Sequence, residues 1–221
     1  MRARVRAEMT EEIKTVARRH LATDGADLSL RAVARDLGMA SSAVYRYFAS
    51  RDELLTALII DAYDSLGAAA ERAAGDDGDP MERWLAASFA VRDWALADPH
   101  QWALIYGSPV PGYQAPADTI TPATRVVLLI VAIVRDAHAT GRIGPQPPIT
   151  GRYAEELAAV AAQYSPGVPP RLVGATVAAF VQLLGAVSAE LFGQLNNSID
   201  EDRRGFFEFQ MRGAASFIGL T

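Results

Sequence analysis

Between residues 29 and 51 the sequence gathers small hydroxyl, guanidinium and phenol side chains at short spacing: Ser29, Arg31, Ser41, Ser42, Tyr45, Arg46, Tyr47 and Arg51. Serine hydroxyls near a helix start donate to base edges or phosphates, a guanidinium pairs with guanine or phosphate, and a phenol hydroxyl reaches the sugar-phosphate backbone. That is chemistry of duplex recognition, not of bond making. Residues that could catalyse are scattered. His20, His100 and His138 are too far apart to pair on one helix, no H-E-x-x-H or E-x-x-H run occurs, and no phosphate-binding glycine loop is present. His20 with Asp24 four residues on reads as a surface contact, so no metal, cofactor or enzymatic activity is expected. Asn196-Asn197-Ser198 matches a glycosylation acceptor only formally.

A second concentration of chemistry is aromatic: Trp84, Phe89, Trp94, Trp102, Tyr106 and Tyr113, with Arg92 and His100 close in sequence. An ordinary aromatic core would look the same. Read as a mostly apolar pocket with a few polar anchors, the cluster makes Trp84, Arg92, Trp102, Tyr106 and Gln182 the candidate ligand-binding residues for an apolar or amphipathic effector.

The elements that must position these side chains are helices, because helical punctuation recurs and no alternating strand pattern runs for more than a few residues. The expected fold is all-α. Thr10 caps a first helix with Ile13, Val16, Ala17 and Leu21 on one face and Gly25 past its end; Ser29 caps a second helix to Leu37. Gly38 makes a turn into a third helix over 41–48, and Ser50 with Glu53 forms a capping box opening a long fourth helix toward Ala74. Asp79-Pro80 and Asp98-Pro99 start two more helices, and others follow over 121–141, 152–164, 170–195 and, capped by Asp200, to about 220. Val33, Ala34, Leu37, Val44 and Phe48 carry the spacing that packs helices two and three together. This is the pattern of a helix-turn-helix whose third helix enters the major groove, exposing Ser41, Ser42, Ala43, Arg46 and Tyr47.

The run S-L-R-A-V-A-R-D-L-G-M-A-S-S-A-V-Y-R-Y-F-A-S-R-D-E-L-L, within Gly25 to Leu55, resembles the tetracycline-repressor (TetR) family of bacterial regulators. The resemblance implies that Arg31 reads a base, that Ser41, Ser42, Ala43 and Arg46 lie on the reading helix, and that Tyr45, Tyr47 and Arg51 contact phosphates; Ser29 is counted with them. Two positions depart from the family pattern: Ala40 stands where many members carry a capping Ser, and Arg51 replaces the usual Lys. The stretches D-P-H-Q-W-A-L-I-Y-G-S-P-V-P-G-Y-Q-A-P and L-L-G-A-V-S-A-E-L-F-G, within Trp84 to Leu195, resemble the WHG-type subgroup and imply a helical regulatory domain. The division expected is a DNA-binding domain over 8–68, with the helix-turn-helix at about 29–48, and an effector-binding and dimerisation domain over 69–221.

Along residues 172–195 one face carries Val173, Val177, Phe180, Val181, Leu184, Val187, Leu191 and Leu195 and is assigned to the subunit's own core. The other carries Gly174, Ala178, Gly185, Ala189 and Gly193 and is assigned to a homodimer seam. The last helix is apolar on two sides, with Phe206, Gln210, Gly213 and Phe217 on one and Phe207, Met211, Ala214 and Ile218 on the other. The last two helices from each copy would build a four-helix bundle, as the resemblance also implies.

Charge supports a two-part division. Residues 1–50 hold nine Lys or Arg against six Asp or Glu, net +3, while the other 171 hold twelve against twenty, net -8. A basic head would face a polyanion and an acidic body would stay off it. With no cysteine and no secretory signal the expected compartment is the cytoplasm. The apolar run 126–134 is too short to span a membrane, which takes roughly 20 residues; the run 172–195 is long enough but contains Gln182, Ser188 and Glu190, so both are assigned to buried helices. Together these features describe a sequence-specific transcriptional repressor that binds a near-palindromic operator and is released by a small effector. The alternative is a constitutive or architectural DNA-binding protein without an effector.

Overall fold

The computed structural model describes residues 2–24 and 28–220, without the side chains of Arg2 and Asp24. Among the described residues there are ten α-helices, a 3₁₀ turn at Ala117–Thr119, and an isolated bridge pairing Ile143 with Leu220. The chain is all-α, a helix-turn-helix head followed by a larger helical body. It divides into two units, Met1–Ser65 with Asp98–Ala123, and Leu66–Ala97 with Thr124–Thr221.

In the first unit α1 (Arg2–Asp24) buries Ile13, Val16, Ala17 and Leu21, the face read from the periodicity. Thr10 does not cap it. The helix begins eight residues earlier, the i,i+4 pair of Arg4 and Glu8 closes at 2.7 Å, and the Thr10 hydroxyl donates to the Arg6 carbonyl within the helix at 2.9 Å. Gly25 lies outside the described residues. In α2 (Leu30–Asp36) the Ser29 hydroxyl accepts from Ala32 N at 3.4 Å, as an N-cap does. Gly38 has φ +64°, the left-handed region that side chains avoid, so a glycine suits the turn.

α3 (Ser41–Val44) is half the expected length: the chain leaves it through tighter bonds, Arg46 N to Ala43 O at 3.2 Å and Tyr47 N to Val44 O at 2.9 Å. No side chain caps it, and Ser41 does not take over from Ala40. Val44 and Phe48 nevertheless bury against Ile13, Val33, Ala34 and Leu54. At the start of α4 (Arg51–Ala74) Ser50 Oγ accepts from Glu53 N at 3.1 Å, while Glu53 Oε2 accepts from Ala49 N at 2.5 Å, one residue before the partner a capping box uses. The segment after Asp98, with α6 (Pro99–Tyr106), joins this unit. The Tyr63 hydroxyl of α4 donates to Ile105 O at 3.1 Å, Thr56 and Tyr113 hydroxyls meet at 2.9 Å, and Leu104 packs on the N-terminal core.

The second unit contains α5 (Pro80–Ala97), most of α7 (Ile120–Ala139), α8 (Arg152–Tyr164), α9 (Pro170–Leu191) and α10 (Arg203–Ile218). α9 packs on α10, α8 and α5. α10 turns Phe207, Met211, Ala214 and Ile218 inward. Its cap is Asp202, which accepts from Gly205 N at 2.7 Å; Asp200, the expected cap, accepts from Asn197 N at 3.2 Å and pairs with Arg203.

α9 is rotated from the expected orientation. Leu172, Val173, Ala175, Thr176, Ala179, Leu183, Ala186, Val187 and Glu190 face inward, whereas Val177 and Val181 are exposed with Ala178 and Gly185. Gly174 serves packing inside the subunit, since a Cβ there would come within 2.7 Å of Leu157 on α8. On a helix apolar all round, periodicity alone does not say which face is core. Here the large Phe207 and Met211 of α10 go inward with the alanine side of α9, and the ion pair of Glu190 with Arg92 fixes the choice.

Candidate nucleic-acid interface and effector residues

The helix-turn-helix displays most of the residues singled out above. Ser29 and Arg31 are exposed at the start of α2, and Ser41, Ser42, Tyr45 and Arg46 are exposed along α3 and its exit; Ala43 is half-buried. Arg46 is held by its backbone, whose carbonyl accepts from Arg6 Nη2 at 3.0 Å. The two tyrosines part company. Tyr45 is 46% exposed, whereas Tyr47 is half-buried against the N-terminal core with the Arg6 guanidinium 5.2 Å from its ring centre. Arg51, half-buried in the first turn of α4, lies 3.4 Å from the exposed carboxylate of Asp52.

Charges behind this face are structural. Lys14 and Arg18 of α1 both reach Asp61 of α4, at 2.8 and 2.6 Å, and Lys14 also reaches Glu11. Burial works against the Lys14 charge, but hydrogen bonds and Coulomb attraction from Asp61 and Glu11 outweigh it and hold the ammonium above its usual pKa. His20 meets Asp36 at 2.7 Å and so bridges α1 to the end of α2, a partner that sequence spacing did not indicate. Arg35 is a solvated surface charge.

The five ligand-binding candidates are distributed over both units. Trp102 and Tyr106 belong to the first unit, where their ring centres lie 4.6 Å apart and Tyr63 meets Tyr106 edge-on at 5.8 Å. Trp102 is fully buried. The Tyr106 hydroxyl is buried and has no hydrogen-bond partner among the described residues; burial, with the neighbouring Tyr63, pushes its pKa far above the ordinary phenol value. Tyr63 was missed from sequence because a tyrosine on an apolar helix face looks like core packing. Trp84, Arg92 and Gln182 lie in the second unit with their polar groups engaged internally. Trp84 Nε1 donates to Met211 O at 2.8 Å, Arg92 donates twice to Glu190, at 2.8 and 2.6 Å, and the exposed Gln182 donates to Gln210 O at 3.2 Å.

The second unit presents an outward apolar face, formed by Val177, Val181 and Gly185 of α9 with Phe209, Gly213 and Phe217 of α10; Phe209 and Phe217 are 72% and 60% exposed. An open groove of about 860 Å³ adjoins it, walled by Pro148, Tyr153, Leu157 and Val160 and sharing Val177 and Phe217.

Comparison with known proteins matches both halves of the chain. The family model for bacterial regulatory proteins of the tetR family covers residues 13–58, and that for the tetracyclin repressor-like C-terminal domain covers residues 84–214. The HTH-type transcriptional regulator Rv1816 of Mycobacterium tuberculosis is 40% identical over 219 residues, spanning 94% of this chain and 91% of that protein. Among solved structures, the regulatory protein SCO4313 shares 34% identity at a TM-score of 0.81 over 98% of this chain and 99% of its own. A protein of unknown function from Rhodococcus sp. RHA1 shares 26% identity at a TM-score of 0.70 over 96% and 94%.

Proposed function

The chain belongs to the TetR family of transcriptional regulators, and from that premise we propose that it is a sequence-specific repressor, acting as a cytoplasmic homodimer and released from its operator by a small apolar or amphipathic effector. The observation that carries the DNA reading is the exposure of Arg31, Ser41, Ser42 and Arg46 on a helix-turn-helix whose Val33, Val44 and Phe48 are buried. Side chains of these types, held on a packed scaffold, suit base edges, while Tyr45, Tyr47 and Arg51 suit phosphates. The net +3 of residues 1–50 favours approach to the polyanion.

Self-association through α9 and α10 is supported by their outward apolar face, which is aromatic and valine-rich where a monomer's surface would be polar. Two copies related by a twofold axis would present their reading helices about one DNA turn apart, roughly 34 to 36 Å or a multiple, so the operator is near-palindromic.

The effector reading rests on Trp102 and Tyr106 rather than on Trp84, Arg92 and Gln182. A buried phenol hydroxyl with no partner among the described residues, beside two aromatic rings, offers a ligand one hydrogen bond in apolar surroundings. An effector releases DNA only by binding the DNA-incompetent state more tightly.

Selecting bound fragments from the protein's own genome tests the reading. Recovery of a near-palindromic sequence is expected, whereas fragments without a shared sequence would favour the architectural alternative. Compounds that displace the selected operator should lose affinity for Trp102→Ala and Tyr106→Phe. A wild-type operator complex that no compound displaces would favour constitutive binding.

A further inference from the structure

The reading segment is too short to hold its own shape. α3 has one helical turn, its exit is built of tight turns, and no side chain caps its start; a turn of this length is unstable unless tertiary contacts hold it. One such contact comes from a residue that neither the motif nor the family resemblance singled out. Arg6, near the start of α1, donates from Nη2 to the carbonyl of Arg46 at 3.0 Å and lays its guanidinium over the Tyr47 ring at 5.2 Å.

We propose that Arg6 is a positioning residue of the DNA interface, clamping the Arg46–Tyr47 segment so that the Arg46 side chain is presented in a fixed geometry. The inference rests on the DNA-binding reading above. The clamp has two parts. A cation donating to a carbonyl at the end of a helix satisfies an acceptor the helix itself leaves open, and stacking over Tyr47 holds the ring that packs on the N-terminal core. Making both at once suits the planar guanidinium of an arginine, which donates from its edge while its face lies on the ring; a lysine keeps the charge and a donor but has no flat surface to stack. Arg6 is exposed, as is Arg46, so the clamp sits on the solvent side of the head rather than in its core. Nearby Arg4 is paired with Glu8 on α1, whereas Arg6 reaches the reading segment.

Hydrogen exchange tests the clamp without DNA: the amides of residues 45–48 should exchange severalfold faster in Arg6→Ala and in Arg6→Lys than in wild type, with the α5 amides unchanged. On DNA, Arg6→Ala should lose at least roughly tenfold on the selected operator, since a hydrogen bond from a charged group and a stacked cation are together worth more than one tenfold step, and much less on random DNA. The slope of log K against log salt should be unchanged, because no phosphate contact is lost. Arg6→Lys should fail to restore operator affinity. A slope lowered by about one, or full rescue by lysine, would make Arg6 a phosphate contact and overturn the positioning role; so would unchanged exchange at 45–48. If wild type did not prefer operator to random DNA, the DNA reading itself would fall, while the exchange result would still decide whether the clamp exists.

Discussion

Replacing Glu190 with alanine would strand the Arg92 guanidinium inside the second unit. The pair joins α5 to α9 through two hydrogen bonds, with side chains only 9% and 6% exposed, and the cation also lies 5.7 Å from the Phe207 ring centre. Removing one member of a buried pair costs about 3 to 5 kcal/mol, because the remaining charge keeps its desolvation penalty and loses its partner. Asp93 approaches Arg92 at 3.3 Å but is half exposed, so it offsets at most about 1 kcal/mol. A protein of this size loses about 2 to 4 °C per kcal/mol, which, with that offset, places the expected fall in Tm between about 4 and 20 °C. The double variant Arg92→Met/Glu190→Leu, which removes both charges and keeps the volume, should recover most of that loss. Urea unfolding followed by tryptophan fluorescence at one fixed protein concentration measures both, Trp84 and Trp94 lying in the same unit. A Glu190→Ala loss under about 1 kcal/mol, or a double variant no better than the single, would refute a desolvated, geometry-fixing pair. The outcome also bears on α9: without this inward tether, its two apolar faces are much closer to equivalent.

Tyr63 and Tyr106 both hold their protons above the ordinary phenol value of 10.0, mainly through burial. The unfolded chain therefore releases protons that the folded chain retains, so their effect is absent below pH 10 and stability falls as pH rises past it, by about 1.4 kcal/mol per pH unit for Tyr106 and by less for the half-buried Tyr63; Tyr106→Phe should flatten the slope, and an unchanged alkaline profile would contradict burial of that hydroxyl. Asp202→Ala should cost about 0.5 to 2 kcal/mol as a lost helix cap, and Asp200→Ala clearly less, in the same unfolding assay; the reverse order would restore Asp200 as the cap. Gly185→Leu meets open space within its own chain, so it should leave thermal unfolding of the secondary structure intact while Gly185→Leu/Phe217→Arg sediments as monomer; a wild-type dimer from that variant would remove the seam.

Where residues carry local chemistry, the fold could be read closely. Ser29, Asp79 and Asp98 cap helices because a short acceptor followed by the first turn is a self-contained signal. Arg152–Tyr164 and the start at Pro170 were legible without a capping side chain, the first from the glycine that precedes it and the second from a proline in its first turn. Thr10 misled because a threonine can bond its own helix as readily as cap one, and the preceding arginines and glutamate extend the helix without any apolar marker. The rotation of α9 was not legible: its sequence offers two apolar sides, and the decision is made by Glu190 and Arg92, 98 residues apart. The same limit applies to the candidate site. Arg31, Ser41 and Arg46 could be named because neighbouring residues alone define the helix-turn-helix, whereas the Tyr63–Tyr106 contact and the Arg6 clamp depend on chain segments that meet only after folding.

The central claim is that this head reads sequence, with separate residues for bases and for phosphates. Affinity for the selected operator and for random DNA, measured across a salt series for wild type, Arg31→Ala and Arg51→Ala, tests it most directly. Wild type should prefer its operator by at least about 10³. Arg31→Ala should lose about 1 to 3 kcal/mol on operator and much less on random DNA, while Arg51→Ala should weaken both alike and lower the salt slope by about one. Equal wild-type binding to both DNAs at physiological salt, with the two variants indistinguishable, would contradict it.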